Sequence, residues 1–321
     1  MYKRVLALLS CLSLLLFAGG CGKKATEKPH IAVIVKAVDS DFWQNVQHGV
    51  EAAATEYNVS VTFEGPENEE DYITQNAMIN RAVADGAQAI VLSAIDYTRC
   101  VDAVEDAVRR GVKVVTIDSD VGSDMVSRFI GTDNRAAGEA AARAAISLFS
   151  DTTPVCIGIV NYMADTDNGQ KREEGFREYV DSVPRARVVA AVTAENHTNN
   201  ATIAALSLLE KYPQINVLVG FNEWMTLGVG NAIEKRDAAD TVCGIGFDTN
   251  VQSVELLETG EMDALIVQNP FAIGYLGVQN AACLLRGETL AEKVQNTDVT
   301  TVTRDNMFDD NIQRILFRFD N

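Results

Sequence analysis

The sequence predicts an α/β protein made of two similar lobes, each built on a doubly wound parallel sheet. From His30 onward, short apolar runs rich in β-branched residues alternate with amphipathic segments of helical length. Repeated strand–helix alternation is typical of doubly wound sheets. The runs are apolar at nearly every position, which indicates strands buried on both faces, as in parallel sheets. With 321 residues, 47% of them hydrophobic, the chain is long enough for two cores.

The elements are predicted from periodicity and from the residues that flank each run. Strands are expected at Ile31–Val35, Val59–Phe63, Ala89–Leu92, Val112–Ile117, Val126–Ile130, Val155–Val160, Val188–Val192, Val217–Phe221, Val242–Phe247 and Ala264–Val267. Helices are expected at Asn45–Tyr57, Asp71–Ala84, Cys100–Arg109, Arg135–Phe149, Gly169–Tyr179, Asn199–Lys211, Trp224–Arg236 and Phe271–Leu285.

The two halves of this series follow one pattern, which is the reason to expect two similar lobes. In the first half a helix ends at Tyr57, and a strand, a polar loop and a second helix follow. In the second half the same order follows Tyr179. No linker rich in proline, glycine or serine separates the halves, so topology places the boundary near Gly131–Asp133. A cleft between such lobes is a common place for a ligand.

Charge and motif content exclude several classes of function. The formal net charge of −18 makes nucleic acid and anionic membranes poor partners. The sequence lacks a phosphate-binding P-loop, a zinc-protease motif and a serine-hydrolase elbow, and it has three histidines. Residues Asp165–Gly169 resemble a calcium loop but are one residue short of that motif. We therefore expect no catalytic residues, no metal and no cofactor.

The N-terminus has the features of an export signal. Lys3 and Arg4 precede the apolar run Val5–Ala18, which is too short to span a bilayer as a helix. Small residues then lead to Cys21, as in a bacterial lipoprotein signal. The sequence predicts a signal peptide over residues 1–20, lipidation of Cys21 and a polar tether over residues 21–29. Four further cysteines lie far apart and leave the disulfide state open: Cys100, Cys156, Cys243 and Cys283.

Polar residues follow almost every predicted strand, and this points to a small-molecule site. In open α/β sheets, ligands bind beyond the carboxyl ends of the strands. The strand ends here carry Asp, Asn and Gln, which can pair with vicinal hydroxyl groups. Phe42 and Trp43 could cover the apolar side of a sugar ring. Capping of the following helices is the alternative role for each of these polar residues. The whole set favours a neutral, polyhydroxylated ligand.

Ordered motifs from about Ile31 to Thr303 resemble the periplasmic sugar-binding proteins of the ribose/galactose-binding type. These are ligand-binding subunits of bacterial ABC importers. The motifs are Asp41-Phe42-Trp43, Val115–Asp118, Gly131–Asn134, Arg172–Phe176, Phe221–Glu223 with Met225, Gly246–Asp248 and Val267–Pro270.

The resemblance implies the type I periplasmic-binding-protein fold, in which three crossing strands form a hinge between the lobes. The first lobe is then expected to comprise residues 30–131 and 269–297, and the second residues 132–268 and 298–321. Ligand contacts are implied at Ser40, Phe42, Trp43, Asp118, Ser119, Gln170, Asn196, Asn222, Asp248 and Gln268.

Three of these positions depart from the ribose-binding pattern. Ser119 and Gln170 stand where that pattern has arginines, and Asn196 stands where it has an aromatic residue. These differences argue against ribose itself as the ligand. Arg172 matches another arginine of the family and is expected to pair with neighbouring acids.

The sequence therefore predicts a monomeric, lipid-anchored receptor outside the cytoplasm that delivers a sugar or polyol to an ABC permease. A binding protein that reports to a sensor kinase or chemoreceptor is the alternative, because the sequence does not reveal the docking surfaces. A transcription repressor is disfavoured, since an export signal precedes His30 where a DNA-binding motif would stand. An enzyme is disfavoured because no nucleophile–base arrangement is visible.

Overall fold

The computed structural model describes residues 28–162 and 166–316. Its strands are β1 (His30–Ile34), β2 (Ser60–Glu64), β3 (Ala89–Leu92), β4 (Lys113–Ile117), β5 (Arg128–Thr132), β6 (Val155–Asn161), β7 (Ala186–Thr193), β8 (Val217–Gly220), β9 (Cys243–Phe247), β10 (Ala264–Val267), β11 (Val294–Thr297) and β12 (Thr300–Thr303). Its helices are α1 (Asp41–Tyr57), α2 (Tyr72–Ala84), α3 (Val101–Arg109), α4 (Asn134–Ser147), α5 (Asp167–Asp181), α6 (Thr198–Lys211), α7 (Glu223–Lys235), α8 (Val251–Thr259), α9 (Pro270–Leu285) and α10 (Asp310–Leu316).

These elements form two sheets of matching topology. The first sheet has the order β11-β5-β4-β3-β1-β2, and the second has the order β12-β10-β9-β8-β6-β7. Pairing is parallel throughout the first sheet, whereas β12 runs antiparallel to β10 in the second. We call each sheet with the helices that cover it a lobe. The predicted fold class, an α/β protein of two doubly wound lobes, is confirmed.

Strand β1 shows why the predicted strands are apolar at every position. Ile31 and Val33 face one side of the first sheet, where α1 and α9 pack. Ala32 and Ile34 face the other side, where α2 and α3 pack. Successive side chains of a strand point to opposite faces, so a sheet between two helical layers needs apolar residues at both. Each fully buried Val or Ile stabilises the lobe by about 1.5–3 kcal/mol relative to an exposed one.

The chain passes between the sheets three times. After β5 it continues into α4, whose apolar face packs in the core of the second lobe. After β10 it continues into α9, which returns to the core of the first lobe. The third passage lies between β11 and β12. These passages lie close to the predicted hinge, while the exact residue boundaries of the lobes stay a prediction.

Four elements were missing from the sequence-based expectation. Strands β11 and β12 are short, polar and situated at sheet edges, so they lack an apolar run. Helix α8 begins with a capping box between Asn250 and Ser253. Helix α10 buries Ile312 in the core of the second lobe.

Four cysteines of the described ranges are free thiols: Cys100, Cys156, Cys243 and Cys283. Within the described ranges, no helix is long and apolar enough to cross a membrane.

The predicted signal peptide, Cys21 and most of the tether lie outside the described residues.

Candidate ligand-binding site

A cleft lies where the carboxyl ends of the two sheets face each other. Its walls come from loops and helix starts that follow the central strands of both lobes. The first lobe contributes Lys36, Ser40, Phe42, Trp43, Glu69 and Asp118. The second lobe contributes Tyr162, Asn168, Arg172, Asn222, Glu223, Trp224, Asp248 and Gln268.

Two aspartates occupy equivalent places on opposite walls. Asp118 follows β4 and Asp248 follows β9, and these strands have the same position in their sheets. Both residues have left-handed backbones, with φ of 58° for Asp118 and 65° for Asp248. Aspartate tolerates this region better than most residues, and such strained positions concentrate at functional sites. The left-handed turn lets each carboxyl group face the cleft while the chain leaves the sheet.

Asp118 is held by a buried ion pair and by polar contacts from both lobes. The Nζ of Lys36 lies 3.1 Å from Oδ2 of Asp118. Ser93 donates to the same oxygen at 2.9 Å, and Nδ2 of Asn168 donates to Oδ1 across the cleft at 3.2 Å. Burial is the largest single influence on the pKa of Lys36 and lowers it, but the electrostatic interactions with Asp118, Tyr162 and Glu69 and the hydrogen bond to Asp118 together outweigh burial, so the pKa is raised. Lys36 therefore remains a cation beside the Asp118 carboxyl group.

Arg172 lies on the second-lobe wall with one donor uncommitted. Its Nε donates to Asn134 at 2.8 Å, and its Nη1 donates to the carbonyl of Phe221 at 2.7 Å. Its guanidinium lies over the Phe247 ring, 4.7 Å from the centroid. Helices α4 and α5 are so close that a Cβ on Gly138 would lie 1.9 Å from the carbonyl oxygen of Arg172. The buried Nη2 has no hydrogen-bond partner, so it is free to bind a ligand oxygen.

Gln268 orients Asp248 at the point where β10 ends. Its Nε2 donates to Oδ1 of Asp248 at 2.6 Å, and its Oε1 accepts from Thr132 at 2.7 Å. Burial raises the pKa of Asp248, whereas the charge of Arg172 and the bond from Gln268 act in the opposite direction. Both ends of the Gln268 amide are thus fixed, and with them the orientation of the Asp248 carboxyl group in the cleft.

Aromatic rings form the apolar part of the wall. Phe42 and Trp43 meet edge to face, with centroids 5.0 Å apart and an interplanar angle of 89°. Ser40 caps helix α1 by accepting from the backbone of Trp43 at 3.4 Å, which sets the position of both rings. Trp224 lines the same cleft from the second lobe. Such rings can cover the C–H face of a sugar.

A chain of hydrogen bonds joins the lobes beside these rings. Trp43 donates through Nε1 to Oε1 of Glu69 at 2.7 Å. Asn196 donates through Nδ2 to Oε2 of Glu69 at 2.6 Å, and its backbone donates to Glu70 at 3.2 Å. Asn222 in turn donates to Oδ1 of Asn196 at 2.6 Å. We call Glu69, Glu70 and Asn196 the interlobe clasp. Burial is the main cause of the raised pKa of Glu69.

Glu223 is the first residue of helix α7 and is nine-tenths buried. Its Oε1 accepts from Nδ2 of Asn250 at 2.7 Å, whereas its Oε2 is buried without a partner. Burial, with a smaller contribution from the charge of Asp248, raises its pKa to about 7. Together with Nη2 of Arg172, this oxygen is an unsatisfied polar atom of the cleft.

The profile of a periplasmic binding protein domain matches residues 31–289 of the chain. The chain belongs to this family. A D-ribose/D-allose-binding protein of Pseudomonas aeruginosa is 26% identical over 274 residues, which cover 82% of this chain and 84% of the relative. A D-allose-binding periplasmic protein of Escherichia coli is 24% identical over 255 residues, which cover 77% and 82%.

Solved structures of the family agree with this assignment. A carbohydrate transporter solute-binding protein from Agrobacterium radiobacter, in complex with D-arabinose, has a TM-score of 0.87 and 29% identity. The match covers 92% of this chain and 100% of that one. An ABC transporter solute-binding protein from Agrobacterium vitis, with bound D-fucose, has a TM-score of 0.85 and 32% identity. That match covers 90% and 100%. The type I periplasmic-binding-protein fold is thereby confirmed.

The cleft of this periplasmic binding protein contains most of the residues that the sequence singled out. Those that line it are Ser40, Phe42, Trp43, Asp118, Asn222, Asp248 and Gln268. The side chains of Ser40 and Asn222 also cap helices, so the capping role and the position in the cleft coexist. Their contact with a ligand stays a prediction.

The structure does not place Ser119, Gln170 or Asn196 among the lining residues. Ser119 is fully buried after the turn at Asp118, and its hydroxyl has no hydrogen-bond partner in the part of the chain that the structure describes. Helix α5 begins at Asp167 and turns residues 168 and 172 toward the cleft, which leaves Gln170 exposed on another face. Asn196 belongs to the interlobe clasp instead.

Within the described ranges Arg172 makes no direct ion pair, so the expected pairing with acids is limited to an electrostatic interaction with buried Asp248. Among the described residues its hydrogen-bond partners are an amide and a carbonyl, and it stacks on a ring. Sequence reasoning assigned no ligand contact to Lys36, Glu69, Tyr162, Asn168, Glu223 or Trp224, although all of them line the cleft. Lys36, Tyr162 and Glu223 closely follow apolar strands, which was a local signal, while Glu69, Asn168 and Trp224 depend on helix register and loop path.

A metal site is not evident in the described ranges, which contain no group of three or more suitable side chains. Residues 167–169 of the partial calcium motif form the start of helix α5, and Asp165 lies outside the described residues.

Proposed function

We propose that this periplasmic binding protein captures a neutral monosaccharide or related polyol between its lobes. The observation that carries the proposal is the pair of unsatisfied buried atoms in the cleft, Nη2 of Arg172 and Oε2 of Glu223. One is a fixed cationic donor and the other belongs to a carboxyl group, so together they suit the hydroxyl groups of one small molecule. Trp43 and Phe42 beside them suit the ring carbons of a sugar.

The charges of the cleft favour an uncharged ligand. Lys36 is paired with Asp118, and the charge of Arg172 acts on buried Asp248, so each cation already has an acidic counterpart and the cleft carries no unbalanced positive charge for a phosphate or carboxylate. The relatives support the same class, since their names and complexes refer to ribose, allose, D-arabinose and D-fucose. Micromolar affinity corresponds to about −8 kcal/mol, which a few buried hydrogen bonds and ring contacts can supply.

The biological setting follows from the family and from the N-terminal sequence. We infer a monomeric receptor that delivers its sugar to ABC permease subunits and has no enzymatic activity. Lipidation of Cys21 would attach it to the outer face of the cell membrane through the polar tether over residues 21–29.

A thermal-shift screen tests the ligand class. Pentoses, hexoses, inositols and nucleosides are added separately, and a true ligand at 100 times its Kd stabilises the protein by about 2.7 kcal/mol. The Asp248→Asn variant keeps an oxygen for Gln268 and a residue that tolerates the left-handed backbone, but it removes the charge. We expect it to weaken binding at least about tenfold, a loss of about 1.4 kcal/mol.

The matched control is Asp237→Asn, because Asp237 is also left-handed, with φ of 50°, but is exposed at the end of α7. It should bind the ligand as the wild type does. If no compound of the panel raises the melting temperature, the sugar-binding proposal is wrong. If Asp248→Asn and Asp237→Asn bind equally well, the assignment of the cleft is wrong.

A further inference from the structure

Glu223 is a cleft residue whose two carboxyl oxygens have different surroundings. Oε1 accepts a hydrogen bond from Asn250 within its own lobe, at 2.7 Å. Oε2 is buried in the cleft wall and has no partner. A proton on this carboxyl group would therefore reside on Oε2, because Oε1 already accepts from a donor. A neutral Glu223 would then present an O–H group to the cleft.

Burial between the lobes is the main factor that favours this neutral form. Electrostatic interactions with Asp248 from the second lobe and Asp41 from the first lobe add to it by disfavouring ionisation of Glu223. Asn250 and the backbone N–H of Phe42, which comes from the first lobe, act in the opposite direction. Lys36, the buried cation of the cleft, is paired with Asp118. Because Asp41 and Phe42 belong to the opposite lobe, these surroundings exist only when the lobes are together.

We propose that Glu223 contacts the sugar as a neutral carboxylic acid, donating a hydrogen bond from Oε2 to a sugar oxygen, so that binding takes up a proton. This inference rests on the proposed function and adds a specific residue and a specific protonation state to it. When the lobes separate, water reaches the carboxyl group and it ionises at neutral pH as an ordinary glutamate does. Closure around the sugar removes that water, and the proton returns.

The sign of the pH dependence follows from linkage. The pKa of Glu223 is raised to about 7 between the closed lobes, so the closed form binds the proton more tightly than the open form. Closure is therefore favoured at low pH and loses this advantage as the pH rises toward 7. With an open-state pKa near 4.3, the apparent affinity should fall about tenfold between pH 6 and pH 8.

Isothermal titration calorimetry with D-ribose, D-allose, D-arabinose and D-fucose tests the proposal. Titrations at pH 6 in two buffers of different ionisation enthalpy measure the protons taken up on binding. The wild type should take up close to one proton more than Glu223→Gln. The glutamine side chain keeps an acceptor for Asn250 and presents an N–H donor in place of the O–H. The Glu223→Gln variant should therefore bind the sugar well at pH 6 and lose little affinity by pH 8.

Two further variants separate the outcomes. Glu234→Gln changes an exposed glutamate of the same helix and should behave as the wild type. Glu223→Ala removes the donor and should weaken binding at both pH values. Equal proton uptake by the wild type and Glu223→Gln would overturn the inference. A tenfold loss of affinity of Glu223→Gln at pH 6 would also overturn it, because that loss would indicate that Glu223 binds the sugar as an ionised acceptor. If none of the four sugars binds the wild type, the proposed function and this inference both fail for these sugars.

Discussion

Replacing Lys36 with methionine tests whether the buried ion pair of the cleft also stabilises the fold. Lys36 and Asp118 are 2% and 3% exposed, and their charged atoms lie 3.1 Å apart. Methionine fills most of the same volume but leaves the Asp118 carboxylate with Ser93 and Asn168 as its partners. Removal of one partner from a buried pair usually costs about 3–5 kcal/mol, because the remaining charge is uncompensated.

We expect the lower part of that range, about 3 kcal/mol, since two hydrogen bonds to Asp118 remain. The corresponding fall in melting temperature is about 6–12 °C for a protein of this size. The pKa of Lys36 is raised in the folded state, so its stabilising effect is fully present below the pKa of an unfolded lysine and is lost only as the pH rises beyond that value. The difference between wild type and variant should therefore be the same at pH 7 and pH 9.

Urea unfolding followed by circular dichroism measures these free energies. Lys113→Met is the control, because Lys113 is exposed on β4 and its replacement should change stability by less than about 0.5 kcal/mol. The double variant Lys36→Met with Asp118→Asn should recover part of the loss, since no unpaired charge remains. A single variant as stable as the Lys113→Met control, or a double variant less stable than the single one, would refute the reasoning.

Two other predictions concern the closed state and the location of the protein. Asn196 does not itself line the cleft, and Asn196→Ala removes its bond to Glu69 in the clasp together with the bond that it accepts from Asn222, so bound sugar should dissociate about tenfold faster in stopped-flow measurements. Asn199→Ala, an exposed change in the next helix, should not alter that rate, and equal rates for both variants would show that the clasp does not hold the lobes. Cys21→Ser should move the protein from the membrane fraction to the soluble fraction, and an unchanged distribution would contradict the lipid anchor.

The strand and helix order was predictable because it depends on local periodicity. Burial of a sheet between two helical layers requires apolar residues at every strand position, and Ile31–Val35 shows this directly. The same logic found Asp118 and Asp248, since residues that follow central strands must lie at the cleft edge of the sheet. The short edge strands β11 and β12 consist mostly of polar residues and have no apolar run, so they were missed.

The sequence by itself determined the fold class, the two-lobed plan and the strand ends that surround the cleft. Only the tertiary structure decided which side chains enter the cleft. The register of helix α5 turns Arg172 toward the cleft and Gln170 away from it. Asn196 forms a hydrogen bond between the lobes because two loops that are distant in sequence meet there. The neutral form expected of Glu223 likewise depends on its burial between the lobes, with a smaller contribution from Asp41 of the opposite lobe. The periodicity of apolar residues specifies which face of a helix or strand is buried. The residues that enter the cleft and the protonation state of Glu223 depend instead on contacts between segments far apart in the chain.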